Sequence, residues 1–279
     1  MLVNLNDVLI PARRGKYAVG LFNTVNLELA RGVMEAAGEL DSPVIIGTAE
    51  VLLPYGPIED LANLLIPMAE RASVPVVVHL DHGLKEETCR QALDLGFSSI
   101  MYDCSTMEYE ANIEHVKRMA ETAHACGASI EAELGHVGDN GGEDPSLFYT
   151  DSAQARDFIE RTGADALAIA VGTAHGAYKL PPKLDFNRIT EIAENIPTPL
   201  VLHGGSCLSD SDFRTAVERG ISKVNIFTDI NQACARAAAL GYREGMGLTD
   251  IILPEIEAVK QSVMEKMRLF GSVGRGSER

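Results

Sequence analysis

Eight short β-rich runs, each followed by a stretch of helical periodicity, constrain this chain more than any other feature. The runs cover residues 17–22, 44–47, 76–80, 99–102, 129–134, 166–171, 200–202 and 223–227. Helical patterns occupy residues 28–40, 58–73, 85–95, 108–126, 152–161, 186–195, 210–219 and 228–240, with one more over 254–269. Strands apolar on both faces belong to parallel sheets covered by helices, and eight such units predict a (β/α)8 TIM barrel with an extra C-terminal helix. No linker rich in Ser or Gly and no sequence repeat interrupts the alternation, so residues 1–279 are expected to form a single barrel domain. A chain of 279 residues with 46% hydrophobic content supplies the core that such a barrel needs.

In these barrels the chemistry gathers at the C-terminal ends of the strands. Polar residues stand there in this chain: Asn23, Thr48, Asp81 with His82, Asp103, Glu133, His175, His203 with Gly204, Gly205 and Ser206, and Asn225 with Thr228. Three of them, His82, His175 and His203, are histidines that come directly after an apolar run. A catalytic zinc takes three protein ligands and keeps one position open, so this trio is what such a site requires. A lone histidine at a strand end is more often a hydrogen-bonded structural residue than a ligand. Three at one rim reverse that balance. His79, two residues before Asp81, is expected in the core or behind the ligands. His115 and His124 fall in a helical stretch and are expected to face solvent or find local partners. His136 adjoins a glycine-rich loop, where a substrate contact and a structural role are both open.

Composition narrows the function classes. Lys and Arg number 24 against 40 Asp and Glu, a net charge of −16, which opposes a nucleic-acid or anionic-membrane surface. An anionic substrate must then be captured by fixed local dipoles. Five cysteines without a C-x-x-C pair match reduced cytosolic thiols. No apolar run approaches the roughly 18 residues of a spanning helix, so a cytoplasmic protein is expected.

The segments HLDHG at His79 to Gly83, MYDCS at Met101 to Ser105, EAELG at Glu131 to Gly135, GTAHG at Gly172 to Gly176, HGGS at His203 to Ser206 and NIFTD at Asn225 to Asp229 resemble the class II, metal-dependent fructose-bisphosphate and tagatose-bisphosphate aldolases. They occur in that family's order and span most of the chain. The resemblance implies a carbon–carbon lyase that cleaves a ketose 1-phosphate reversibly to dihydroxyacetone phosphate and an aldehyde through a zinc-stabilised enediolate. It implies zinc on His82, His175 and His203, with Asp103 and Glu133 as an alternative or second metal position sharing His82. It also implies a loop base, for which Glu143 in the loop 138–144 is the candidate, and a monovalent cation, Na+ or K+, near the backbone carbonyls of Gly176 and Gly204. A homodimer or homotetramer is implied as well, with the last helix as a plausible contact.

The residues support these roles on chemical grounds. Carbon–carbon cleavage needs an electron sink, which a Lewis-acidic ion supplies at the ketose carbonyl. Asp81 beside His82 is placed to handle the hydroxyl proton next to that bond. Backbone N–H groups of Gly204, Gly205 and Ser206, with Asn225, Ile226, Phe227 and Thr228 at a helix N-terminus, form the phosphate site that recurs after strands seven and eight. Asp103 and Glu133 have an alternative role as carboxylates that orient the histidines. Cys207 and Phe227 depart from the family pattern, and a bulky Phe227 reshapes the pocket beside the phosphate. Two competing readings stand beside the zinc lyase. A Schiff-base aldolase needs a lysine at the mouth, whereas the sixth strand has none and Lys223 falls at the far end of the eighth. A catalytically silent barrel that binds metal or sugar phosphate has no use for Asp81.

Overall fold

The computed structural model describes residues 1–137, 149–174, 184–205 and 208–278. Eight strands, β1 (Val19–Asn23), β2 (Val44–Ala49), β3 (Val76–Gly83), β4 (Ser99–Tyr102), β5 (Ser129–Leu134), β6 (Ala166–Ile169), β7 (Leu200–Leu202) and β8 (Ile221–Ile226), pair in parallel and in sequence order. β1 pairs with β8, which closes the barrel. The helices are α1 (Leu5–Gly15), α2 (Leu27–Glu39), α3 (Ile58–Arg71), α4 (Glu86–Asp94), α5 (Tyr109–Ala125), α6 (Ser152–Thr162), α7 (Phe186–Asn195), α8 (Asp210–Arg219), α9 (Thr228–Gly241) and α10 (Leu248–Phe270). The expected (β/α)8 barrel with a helix beyond the eighth unit is what the chain forms.

Successive strand residues face opposite sides of the sheet, and two buried clusters follow from that alternation. One lies between sheet and helices and includes Val44, Ile46, Val78, Leu80, Ile100 and Leu202. The other fills the lumen with Val19, Leu21, Ile45, Val77, Met101, Ala166, Ala168 and Val201. Leu5, Val8, Leu9 and Ala12 of α1 join the second cluster, so α1 closes the N-terminal end of the barrel. The sequence pattern gives no element for this segment, where isolated apolar residues are mixed with Asn and Asp. The helix is nonetheless well signalled: the Asn4 side chain accepts from the Asn6 and Asp7 N–H groups, and the Asp7 carboxylate accepts in turn from the Asn4 N–H.

The last helix differs from expectation. α10 begins at Leu248 and carries Pro254 within it, so it starts six residues ahead of the helical pattern over 254–269. β8 likewise begins at Ile221, which places Lys223 in the middle of the strand and leaves Phe227 as the residue before α9.

Candidate active site at the barrel mouth

A local irregularity in β3 brings two neighbouring residues to one place. Val77 and His79 face the lumen and Asp81 continues that row, so a regular strand would turn His82 outward. The pairing with β4 shifts register between Leu80 and Gly83, and His82 takes φ of +42°. Such a left-handed conformation in a non-glycine residue costs about 1–3 kcal/mol and recurs at functional sites. Its result is that the His82 ring stands edge-on to that of His203, with centroids 4.6 Å apart.

Each imidazole is oriented by a carboxylate on its far side. His82 Nδ1 lies 2.8 Å from Asp103 Oδ2, and His203 Nε2 lies 2.8 Å from Glu131 Oε1. With those nitrogens carrying the protons, the assignment that the two carboxylates favour, the other two nitrogens face each other, His82 Nε2 to His203 Nδ1, at 2.8 Å. Two lone pairs at that distance call for a cation between them, either a proton or a metal ion. Metal-bound histidines are characteristically held in this way by a carboxylate on the second nitrogen. Ligand atoms of Asp81, His82 and His203 lie within 4.8 Å of one another, as do those of His82, Asp103 and Glu133. Glu133 accepts the Val137 N–H on Oε1 at 2.9 Å, while its buried Oε2 has no hydrogen-bond partner among the described residues. These donors fit a divalent metal.

The charges agree with that fit. Burial disfavours an imidazolium at His82, but the Asp81 charge, the hydrogen bond to Asp103 and the Glu133 charge outweigh it and push its pKa up to about 9. Burial also works against an ionised Asp81, yet the charges of His82, His203 and Lys223 hold its carboxyl well below the usual range. Asp81 is further fixed by two amides: Asn23 Nδ2 donates to Oδ2 at 2.7 Å and Asn225 Nδ2 to Oδ1 at 2.9 Å. The outcome is an ionised, rigidly held carboxylate beside a position that favours positive charge.

A cavity of about 410 Å³ opens over these groups. Asn23, Asp81, His82, Asp103, Gly204, Gly205, Asn225, Ile226, Phe227 and Thr228 line it, as does His136. Gly204 has φ of +65°, and a Cβ there would meet the Ala174 carbonyl oxygen at 2.4 Å, so only glycine fits. The first residues of α9 have no side-chain cap, which leaves amides for an anion. Thr48 is not at the mouth: it lies on the helix-facing side of β2, fully buried, and Ala49 reaches the cavity instead. His175, Gly176, Glu143 and Ser206 lie outside the described residues, as do the loop 138–144 and Cys207. His79 is buried against Ser99 Oγ, and burial with the nearby Lys223 charge pulls its pKa down to about 3. His124 pairs with Asp165 at 2.8 Å, and His115 lies 3.5 Å from the Tyr102 hydroxyl.

Glu131 and Lys223 are the site residues that the sequence reading missed. Both are fully buried in the lumen and 2.8 Å apart. Alternation was the available signal, since Glu131 shares a face with Glu133 and Lys223 with Asn225.

Fold and site together define a (β/α)8 barrel with an imidazole–carboxylate cluster, suited to a metal ion, at its C-terminal mouth. The chain belongs to the class II fructose-bisphosphate aldolase family, whose sequence profile matches residues 3–275. It is 39% identical to the fructose-bisphosphate aldolase of Thermus caldophilus, over 99% of this chain and 100% of that protein. The fructose-bisphosphate aldolase of Geobacillus stearothermophilus is also 39% identical, over 99% of both chains. The crystal structure of the YdjI aldolase from Escherichia coli K12 superposes with a TM-score of 0.92 at 36% identity, covering 99% of this chain and 100% of that one. The family is one of aldolases, carbon–carbon lyases that act on sugar phosphates and are generally metal-dependent.

Proposed function

We propose that this chain is a zinc-dependent aldolase that cleaves a ketose 1-phosphate reversibly to dihydroxyacetone phosphate and an aldehyde. The observation that carries the reading is the facing pair His82 Nε2 and His203 Nδ1, 2.8 Å apart, each backed by a carboxylate. His175 completes the ligand set in this reading, and Asp103 with Glu133 forms the position that shares His82. Zinc held by these residues would supply the electron sink that carbon–carbon cleavage needs, as a Lewis acid at the ketose carbonyl. Asp81 accepts the proton of the hydroxyl beside the breaking bond, a role that its ionised state and its two amide donors support. Glu143 exchanges the carbon-bound proton of the triose half. Gly204, Gly205, Ser206, Asn225, Ile226, Phe227 and Thr228 hold the 1-phosphate, beside a monovalent cation on the carbonyls of Gly176 and Gly204.

An apolar part of the cavity wall bears on the aldehyde half. Ala49, Val51, Leu52, Leu84 and Val137 line it, and the neighbouring cation Lys85 is drawn to Glu50 at 3.6 Å. Seating a second phosphate against apolar side chains carries a large desolvation cost, so an uncharged distal end suits this wall better. Residues 1–279 act as one domain, in the cytoplasm, as a homodimer or homotetramer. Unpaired thiols at Cys89, Cys104, Cys126 and Cys234 support the compartment, and no helix among the described residues is long and apolar enough to cross a membrane. Exposed Leu240, Tyr242, Leu248 and Leu253 around the α9–α10 connection support self-association.

The test is release of dihydroxyacetone phosphate from ketose 1-phosphates and 1,6-bisphosphates, with and without EDTA and then with zinc restored. Cleavage that EDTA stops and zinc restores is expected. Cleavage that survives chelation and is trapped by borohydride would instead mark a Schiff-base enzyme. That second reading is opposed by Lys223, whose amine is buried in an ion pair rather than open to the cavity. Metal and sugar-phosphate binding without any turnover would leave the silent barrel.

A further inference from the structure

A buried ammonium group stands where the metal-facing and proton-handling halves of the mouth meet. Lys223 projects from the middle of β8 into the lumen and is fully buried. Its Nζ is 2.8 Å from Glu131 Oε2 and donates at 2.8 Å to Asn225 Oδ1. Each partner has its shortest onward contact with a different member of the site, while Asn225 Nδ2 also lies 3.3 Å from His203 Nε2. Glu131 turns its other oxygen to His203 Nε2 at 2.8 Å, and Asn225 turns its nitrogen to Asp81 Oδ1 at 2.9 Å.

The chemistry of the two partners makes this arrangement directional. A primary amide has one accepting and one donating end, so an ammonium on Asn225 Oδ1 obliges Nδ2 to face Asp81. Without it the amide oxygen loses its anchor, and only the contacts of Nδ2 with Asp81 and His203 hold the side chain in place. A buried carboxylate needs a compensating charge, and Lys223 supplies it on Oε2, which leaves Oε1 for His203. We propose that Lys223 is a positioning residue that fixes His203 through Glu131 and Asp81 through Asn225, so that one buried charge aligns the metal ligand with the proton acceptor. The inference rests on the metal-lyase reading of the mouth.

The test compares wild-type protein, Lys223→Met and the double variant Lys223→Met/Glu131→Gln. The double variant removes the buried negative charge along with the positive one, while the amide that replaces the Glu131 carboxylate keeps an oxygen for His203. Three quantities are read: zinc affinity by chelator competition, the visible spectrum of the Co²⁺-substituted protein, and kcat with KM on the ketose 1-phosphate that wild-type protein cleaves best. In Lys223→Met, zinc affinity and kcat each fall by roughly 10- to 100-fold, as for other residues that orient metal ligands, and the Co²⁺ bands shift. KM changes little, because Lys223 touches no substrate. In the double variant the Co²⁺ spectrum and zinc affinity return to within about threefold of wild type, whereas kcat stays at least about tenfold down, since Asn225 still lacks its anchor.

Wild-type zinc affinity, spectrum and kcat in the folded variants would overturn the inference, and so would a double variant that recovers both functions or neither. Should Lys223→Met fail to fold, the double variant decides on those terms alone. Wild-type protein that neither holds zinc nor releases dihydroxyacetone phosphate would overturn the aldolase reading itself, and this inference with it.

Discussion

The two ends of the barrel lumen are built from the same strands and have opposite chemistry. On β3 the inward row runs Val77, His79, Asp81; on β1 it runs Val19, Leu21, Asn23; on β7 it runs Val201, then His203. The lower end is an apolar plug sealed by Leu5, Val8, Leu9 and Ala12 of α1. The upper end holds charged and polar side chains joined by contacts of 2.7–2.9 Å around Asp81, His82, His203, Glu131 and Lys223. Apolar packing tolerates exchange of shape at nearly constant volume. A buried polar network does not, because each member removed strands its partner. The lower end therefore carries stability, and the upper end carries chemistry.

That division can be broken most visibly at Asp81. Asp81→Ala is expected to lower kcat by about 10²- to 10⁴-fold while bound zinc, measured by atomic absorption, stays near the wild-type level. Loss of zinc in step with kcat would show that Asp81 is instead a ligand. At the other end, Leu9→Ala should reduce unfolding free energy by about 2–5 kcal/mol, seen as a lower midpoint in urea, with kcat per folded molecule retained. A fall in kcat without a fall in stability would erase the contrast. Within the mouth, a 1,6-bisphosphate should be cleaved with a kcat/KM at least about tenfold below that of the matching 1-phosphate, the measure of one unmet charged contact. Equal values would show that the distal phosphate finds a cation. The smallest effect belongs to the cap of α1: Asn4→Ala should cost about 1 kcal/mol in the same urea titration and leave cleavage untouched.

The fold was legible because parallel strands covered by helices are rich in apolar and β-branched residues, and eight such runs alternate with helical periodicity. Boundaries were less legible where proline interferes. Pro254 lies within α10 and Pro11 within α1, and in both cases the helix carries buried apolar residues on its core-facing side, Ile256 and Val259 in α10 and Val8, Leu9 and Ala12 in α1. The mouth was legible wherever a polar residue ended an apolar run, as at Asp81, Asp103, Glu133, His203 and Asn225. Thr48 followed the same rule and failed it, since side-chain alternation on β2 turns it to the helices. Glu131 and Lys223 failed it in reverse. Each lies inside its strand, and only their mutual pairing, between strands far apart in sequence, explains how two charges come to be buried there. No local pattern encodes the bend at His82 either, because it depends on how β3 and β4 register.

The measurement that bears most directly on the metal site is a titration of chelated protein with Zn²⁺, following bound ion and dihydroxyacetone phosphate release in the same samples. Activity is predicted to rise in proportion to bound zinc and to level off near about one ion per chain, the stoichiometry of a single catalytic centre. Protein that is fully active when stripped of metal, or that binds zinc with no gain in cleavage, would contradict the account.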